Sequence, residues 1–163
     1  MKFKELPPLH EFTKRFNYDP ITGEFTWKCG YRAGKLAGSK DADGITLYLG
    51  ELGRFKAHRV AWLYIYGEDP GESLIDHKDG NPFLNSKLNL RKATEAQNSQ
   101  NHNKKPGSSG VPGVDRQGRG WRARIRHNGS RLTVGTFSTI EEAEAAITKK
   151  RKELHGEFAR DYR

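Results

Sequence analysis

The chain is organised around the stretch SLIDHKDGNPFLNSKLNLRKATEAQNSQNH, residues 73–102. An apolar run ends in the pair Asp76-His77, and a polar loop rich in Gly and Asn follows it. The loop leads into a helix that we expect to begin at Thr94, a typical N-cap residue, so that Asn98 lies about one turn inside the helix. This order predicts that a strand end, a loop and a helix bring a carboxylate, an imidazole and amides close together in space.

These residue types suit a hard divalent cation. Carboxylate oxygens, amide oxygens and water are the ligands that Mg²⁺ prefers, and Mg²⁺ usually takes only one or two ligands from the protein. An imidazole beside such an ion, with an ordinary pKa of about 6.5, is better used as a base than as a ligand. The pattern therefore predicts a one-metal phosphodiesterase with Asp76 and Asn98 as ligands and His77 as base. A competing interpretation is that the Asp-His pair forms a turn and the asparagines satisfy backbone groups.

Three segments, YDPITGEFTWK, AHRVAW and IDHKDGN…NLR…QN, together resemble the HNH endonucleases with a ββα-metal fold over residues 18–103. The motif positions are His77, Asn89 and Asn98, which are separated by 12 and 9 residues. The third position is Asn where many members carry His, as in a branch of phage homing nucleases. The resemblance implies that His77 is the general base, that Asp76 and Asn98 hold one Mg²⁺ or Mn²⁺ ion, and that Asn89 pins the loop and helps to orient His77.

Three neighbouring residues have open interpretations. The family carries His and Arg at the start of the AHR helix, here His58 and Arg59. Arg59 fits either a phosphate contact at the helix N-terminus or a structural salt bridge. His102 lies four residues after Asn98 on the same helical face, and it is either a further ligand or a solvated histidine.

The region before the motif shows ordinary structural patterns. Leu6, Leu9, Phe12 and Phe16 have the spacing of a short amphipathic helix over residues 1–16. The turn segment DPITG lies between aromatic-rich arms and predicts a hairpin over 16–28. Further strands are expected over 45–49 and 55–58, followed by a helix over 59–66 that stops at Gly67.

The charge of the chain points to a polyanionic partner. The net charge is +9 and the sequence pI is about 9.7. Residues 104–163 hold 14 Lys and Arg against 7 Asp and Glu, whereas residues 1–103 hold 15 against 13. Electrostatic binding to a phosphate backbone is therefore expected mainly from the C-terminal part, and it should weaken with salt.

Composition narrows the class of protein. The apolar fraction is 34% and the mean hydropathy is −0.89, so compact modules with small cores are favoured over one large core. Cys29 is the only cysteine, which excludes an intrachain disulfide and a CxxC metal knuckle. No apolar stretch is long enough to span a bilayer, and no signal peptide is apparent. We expect a cytoplasmic protein, monomeric or weakly dimeric, with no membrane association and no small-molecule cofactor.

The C-terminal part predicts a three-stranded sheet covered by a helix. Over residues 110–137, turn signals at QGRG and HNGS separate three short strands in which apolar and polar residues alternate. Thr139 and Glu142 form a capping box for the following helix. The alternation places a polar, arginine-rich set on one face, and a β-ribbon of this kind can read base edges in the major groove. A solvated basic face is the competing interpretation. The candidate DNA-binding residues are Arg122, Arg124, Arg126, Arg131 and Thr133.

The motifs SGV-x-GV, W-x-A-x-I, GTF, EEA and HGEFA make residues 109–162 resemble an AP2/ERF DNA-binding domain. The resemblance implies that the same five candidate residues face DNA. The plant members carry Trp at the place of Thr133 and Arg at the places of Pro112 and Asp115. These differences imply weaker readout of bases and more reliance on phosphate contacts.

We therefore predict an α+β protein with two modules. A ββα-metal HNH nuclease domain covers residues 1–103, a Pro-, Ser- and Gly-containing linker covers 104–109, and an AP2-like domain of three antiparallel strands plus a helix covers 110–163. The expected function is a nicking, homing-type endonuclease, encoded by a phage or a bacterium, that acts on double-stranded DNA. The alternatives are a DNA-binding regulator with a vestigial HNH fold and a nonspecific nuclease acting on RNA or DNA.

Overall fold

The structure is a computed structural model that describes residues 4–101, 107–127 and 129–159. The chain forms two compact units, Met1–Thr94 and Glu95–Arg163. Both contain small antiparallel sheets together with helices, as expected for an α+β protein. The predicted domain limits of 1–103 and 110–163 remain a prediction. The predicted linker over 104–109 lies partly outside the described residues, and His102 lies outside them.

The first unit opens with a helix shorter than predicted. Helix α1 covers only Leu9–Thr13 rather than most of residues 1–16. Pro8 occupies the N-cap position, and a residue that precedes a proline is disfavoured in the α conformation, so the helix does not extend backwards through Pro7-Pro8. Phe12 nevertheless points into the core and is fully buried.

The hairpin predicted over 16–28 is confirmed. Strand β1 (Phe16–Tyr18) pairs antiparallel with β2 (Phe25–Trp27). Phe16 and Phe25 are buried, and the partly buried Tyr18 and Trp27 pack against the same core, so the aromatic residues of both arms serve packing.

A three-stranded sheet and the second helix follow. Strands β3 (Ser39–Asp41), β4 (Gly44–Tyr48) and β5 (Arg54–Lys56) pair antiparallel in that order. Helix α2 (Ala57–Tyr66) begins immediately after β5 and buries Val60, Ala61 and Leu63. It ends at Gly67, whose φ of 73° is the left-handed conformation typical of a helix C-terminus.

The motif region supplies a two-stranded antiparallel sheet. Strand β6 (Leu74–His77) pairs with β7 (Leu90–Ala93), with Asp76 opposite Arg91 and His77 opposite Leu90. The 12 residues between these strands form the polar loop that was predicted from the sequence.

The second unit contains α3 (Glu95–Asn101) and a sheet of β8 (Val114–Gln117), β9 (Gly120–His127) and β10 (Ser130–Phe137). The sheet is antiparallel with β9 in the centre, as predicted. Helix α4 (Ile140–His155) begins with the predicted capping box, in which the Thr139 side chain accepts from the Glu142 amide and Glu142 bonds back to the Thr139 amide. Its buried residues pack on the inner face of the sheet. This core consists of Val114, Ala123, Ala143 and Ile147.

Within the described part of the chain, no helix has the length and apolar character needed to cross a membrane. Cys29 is exposed as a free thiol.

Candidate functional site

The Asp76-His77 pair lies in a strand and is buried. Both residues belong to β6, and they are 5% and 8% exposed respectively. The pairing of β6 with β7 holds their backbone in an extended conformation. The interpretation of this pair as an ordinary turn is therefore wrong. A buried carboxylate and a buried imidazole at consecutive positions require specific partners, because polar groups removed from water are destabilising unless they are hydrogen-bonded.

The imidazole of His77 has its partner in the loop. His77 Nε2 lies 3.0 Å from Oδ1 of Asn85, a fully buried residue. Sequence reasoning missed Asn85, because it is one of three asparagines in the polar loop over residues 78–89 and no spacing distinguishes it. The sequence carries no local signal for it, because the burial of Asn85 depends on the packing of the loop against the β1–β2 hairpin.

The hydrogen bonds of the Asn89 side chain are to other residues of the loop and not to His77. Its Nδ2 donates to Asp79 Oδ1 (2.9 Å) and to the Leu84 carbonyl (2.8 Å), and its Oδ1 accepts from the Asp79 amide (3.1 Å). These three bonds join the two ends of the loop and agree with the predicted loop-pinning contacts. Its catalytic role stays a prediction.

A second histidine packs against His77. The rings of His58 and His77 meet edge to face, with 5.4 Å between their centroids. Nδ1 of His58 is buried and has no hydrogen-bond partner among the described residues. Burial, followed by the neighbouring charge of His77, Arg59 and Lys56, lowers the pKa of His58 to about 3. His58 is therefore neutral at physiological pH, and His77 packs against an uncharged imidazole ring.

The carboxylate of Asp76 is bound by an arginine. Arg91 Nε and Nη2 each lie 2.8 Å from Asp76 Oδ2, across the β6–β7 pair. A carboxylate has two oxygens and about four acceptor positions, and Arg91 binds one oxygen in these contacts. The Asp76 carboxylate fits a hard divalent cation, because carboxylate oxygens are the ligands that such cations prefer.

Asn98, the second predicted metal ligand, lies on α3 in the second unit, whereas Asp76 lies in the first. Among the described residues there is no cluster of three or more His, Cys, Asp or Glu side chains that could hold a metal. The predicted pair of ligands, one aspartate and one asparagine, contains only one residue of these four types, so the absence of such a cluster does not test it. Asp76 and Asn98 as metal ligands therefore remain a prediction.

Arg59 makes a structural salt bridge. Its Nη2 lies 2.8 Å from Asp69 Oδ1 and 3.0 Å from the Gly71 carbonyl, and the residue is buried. Asp69 also accepts from the Leu6 amide at 2.7 Å. Of the two interpretations of Arg59, the structure therefore favours the salt bridge, which joins the first turn of α2 to the segment before β6.

The candidate DNA-binding residues of the second unit share one face of its sheet. Residues directly opposite each other in an antiparallel pair point to the same side. Arg122, Arg124 and Arg126 of β9 alternate with the buried Ala123 and Ile125. In the β9–β10 register Arg124 is opposite Thr133 and Arg126 is opposite Arg131. The five residues therefore form one surface, which we call the arginine face.

An acidic residue lies within this arginine face. Asp115 of β8 is opposite Arg122, and its Oδ2 lies 2.7 Å from Arg122 Nη2. Its Oδ1 accepts from Arg124 Nε (3.1 Å) and Nη2 (2.8 Å). Burial alone would raise the pKa of Asp115, but the hydrogen bonds and charges of the two arginines outweigh that effect and lower it. Asp115 is therefore ionised at neutral pH and occupies two of the predicted DNA contacts.

The comparisons with known proteins concern the region around Asp76 and His77. A family model described as HNH endonuclease matches residues 55–100, which include His58, Asp76, His77, Asn85 and Asn89. The chain is 33% identical over 110 residues to a protein of Acanthamoeba polyphaga mimivirus named Uncharacterized HNH endonuclease L560. That match covers 67% of this chain and 58% of the mimivirus protein.

A second relative is Protein 3.8 of Escherichia phage T7. It is 33% identical over 108 residues, a match that covers 64% of this chain and 88% of the phage protein. No solved structure matches the chain.

Proposed function

The chain belongs to the HNH endonuclease family, and from this membership we propose that it hydrolyses phosphodiester bonds of double-stranded DNA in the cytoplasm. His77 is the general base, Asp76 and Asn98 hold one Mg²⁺ or Mn²⁺ ion, and Asn89 fixes the loop between β6 and β7. The second unit, with its AP2/ERF-like sequence, positions the nuclease on DNA. The biological role that fits this combination is a homing-type nicking endonuclease.

One observation carries the proposal: Asp76 and His77 occupy consecutive positions of β6, both are buried, and each has a polar partner of its own. Arg91 binds the carboxylate and Asn85 binds the imidazole. Even with both groups hydrogen-bonded, a buried Asp-His pair stabilises the fold no more than apolar residues of similar size would, because both groups lose hydration on folding. That argument favours an active nuclease over a regulator that has kept only the fold.

The chemistry follows from the two groups. His77 accepts a proton from a water molecule as the water oxygen forms a bond to the scissile phosphorus. The bond from phosphorus to the 3′ oxygen breaks and the 3′ oxygen takes up a proton from solvent, which leaves a 5′-phosphate on one product and a 3′-hydroxyl on the other. When bound, the cation supplies electrostatic stabilisation to the phosphoryl oxygens and to the departing 3′ oxygen.

The sheet of the second unit supports the positioning role. Its arginine face is a regular array of cations on a three-stranded antiparallel sheet, and the opposite face is covered by α4. Arginines on such a surface bind phosphates and, in the major groove, the O6 and N7 atoms of guanine. The exposed Arg126 and Arg131 are opposite each other in the register and have like charge. Such a pair is destabilising by itself, and a bound polyanion relieves the repulsion.

A plasmid assay tests the nuclease. Supercoiled DNA is incubated at low salt with Mg²⁺ or Mn²⁺, and wild type is compared with His77→Ala. Loss of a general base should slow conversion to open circles by about 10²- to 10⁴-fold. His10→Ala is the matched control, because His10 is an exposed histidine on α1, and it should cleave at the wild-type rate. Intact plasmid with both metals, or equal nicking by His77→Ala, would refute the proposal.

The same assay distinguishes nicking from double-strand cleavage. A single active site cuts one strand per event, so open circles should accumulate before linear DNA forms. Cleavage positions mapped on a long DNA should be discrete if the second unit selects the site, and scattered if the protein is a nonspecific nuclease.

A further inference from the structure

We propose that Asn85 is a positioning residue that fixes the tautomer of His77 and so makes Nδ1 the nitrogen that accepts the proton. The proposal rests on His77 being the general base of the proposed nuclease. It assigns the fixing of the imidazole to a residue four positions before Asn89, the residue to which the family resemblance gives that task.

The atoms in contact determine the tautomer. Asn85 presents Oδ1, a carbonyl oxygen, at 3.0 Å from His77 Nε2. A carbonyl oxygen can only accept a hydrogen bond, so Nε2 must carry the hydrogen. A neutral imidazole has one N–H, and the lone pair therefore lies on Nδ1. If the opposite tautomer formed, two lone pairs would face each other at this distance.

The ring is also restrained from the side. The edge-to-face contact with His58 limits rotation of the His77 ring about its bond to Cβ. His58 is the second residue of α2 and follows directly on β5, so it is fixed by two elements of regular structure. The Asn85 bond sets the tautomer and the His58 ring sets the tilt.

The environment of Asn85 argues that the residue is present for this contact. Its side chain is inaccessible to solvent, yet Nδ2 has no hydrogen-bond partner among the described residues. A buried amide whose two N–H donors are both unsatisfied destabilises the fold compared with an apolar residue of similar size. Such an exception needs a reason, and the bond to His77 supplies one.

The β1–β2 hairpin holds the Asn85 segment in place. The Tyr18 hydroxyl donates to the backbone carbonyl of Asn85 at 2.8 Å, and the Lys87 backbone amide donates to the Pro20 carbonyl at 2.9 Å. Gly23 has a φ of +77°, and a Cβ there would lie 2.4 Å from the Asn85 carbonyl carbon. The turn of the hairpin thus packs backbone to backbone against the loop, and the YDPITG segment gains a role in supporting the imidazole.

The first experiment measures the tautomer directly. We expect ¹⁵N NMR of selectively labelled histidine to show protonated Nε2 and unprotonated Nδ1 for His77 at neutral pH. In Asn85→Leu, which keeps the branched shape of the side chain but removes the acceptor, the two tautomers should be mixed. Asn81→Leu is the matched control, because Asn81 is an exposed asparagine of the same loop that bonds to Phe83 and Asp79, and it should leave the His77 signals unchanged.

The second experiment measures nicking of plasmid DNA at saturating metal. Asn85→Leu should lower kcat by about 10-fold with KM unchanged, because only part of the molecules then hold the lone pair on Nδ1 and the ring is less well oriented, while DNA binding is unaffected. Tyr18→Phe removes only the hydrogen bond from the Tyr18 hydroxyl to the backbone carbonyl of Asn85 and should lower kcat several-fold. This variant keeps the test informative if Asn85→Leu does not fold. A wild-type spectrum with hydrogen on Nδ1, or a folded Asn85→Leu with wild-type kcat, would overturn the inference. If wild type does not cleave, the proposed function fails, while the NMR result still decides the role of Asn85.

Discussion

Replacing Asp115 by Asn should make the protein bind DNA more tightly. Asp115 contacts Arg122 and Arg124 at 2.7 and 2.8 Å, so these three residues together present a net charge of +1 to a phosphate backbone. The substitution keeps the shape of the side chain and raises that charge to +2. It also weakens the competition between the aspartate and DNA phosphates for the same two guanidinium groups.

The size of the effect follows from counterion release. One more neutralised phosphate should steepen the plot of log binding constant against log salt by about 0.9. Between 50 and 200 mM salt, the advantage of the variant over wild type should therefore shrink by about 3-fold. Fluorescence anisotropy with a labelled duplex, recorded over a salt series, measures both the affinity and the slope.

Glu141→Gln is the control for net charge. Glu141 is exposed in the first turn of α4, the helix that covers the opposite face of the sheet, so the same loss of one negative charge should change the slope much less. The reasoning is refuted if Asp115→Asn binds DNA as wild type does at all salt concentrations, or if Glu141→Gln has an equal effect. Either outcome would mean that the arginine face does not contact the phosphates.

Three further predictions concern binding and stability. Arg124→Ala should weaken DNA binding at every salt concentration and reduce the salt slope by about 1, with metal affinity unchanged by calorimetry. The pKa of His58 lies near 3 in the folded state and near 6.5 when unfolded, so its stabilising contribution is complete above about pH 6.5 and is lost as the pH falls towards 3. The free energy of unfolding should therefore be about 2 kcal/mol lower at pH 5 on account of His58. In His58→Phe, the free energy of unfolding measured with denaturant should fall less between pH 7 and pH 5 than in wild type. Thr139→Ala removes the N-cap of α4 and should lower the free energy of unfolding by about 1 kcal/mol, whereas the Thr148→Ala control should change it less.

Local patterns in the sequence were sufficient for most elements of the fold. The alternation of β9, the capping box at Thr139 and the helix stop at Gly67 all depend on residues within a few positions of one another. The backbone preferences behind them act in isolated segments as well as in folded proteins, which explains why these predictions were confirmed. Helix α1 was predicted too long because its apolar spacing was given more weight than the two prolines before it.

The site was only partly accessible from the sequence. The spacing of the HNH motif predicted Asp76, His77, Asn89 and Asn98, and the structure places the first two in β6 and Asn89 in the loop that follows it. Asn85 was not identified, since its contact with His77 depends on how the loop folds back under the β1–β2 hairpin.

The sequence by itself indicated the HNH motif, most of the order of the elements and the alternation that places the arginines on one face. Only the tertiary structure decided which polar groups meet: Arg91 with Asp76, Asn85 with His77, and Asp115 with two arginines of the arginine face. The physical reason is range. Backbone preferences act over a few residues, whereas a hydrogen bond between side chains forms only where the packing of separate elements brings a donor within about 3 Å of an acceptor.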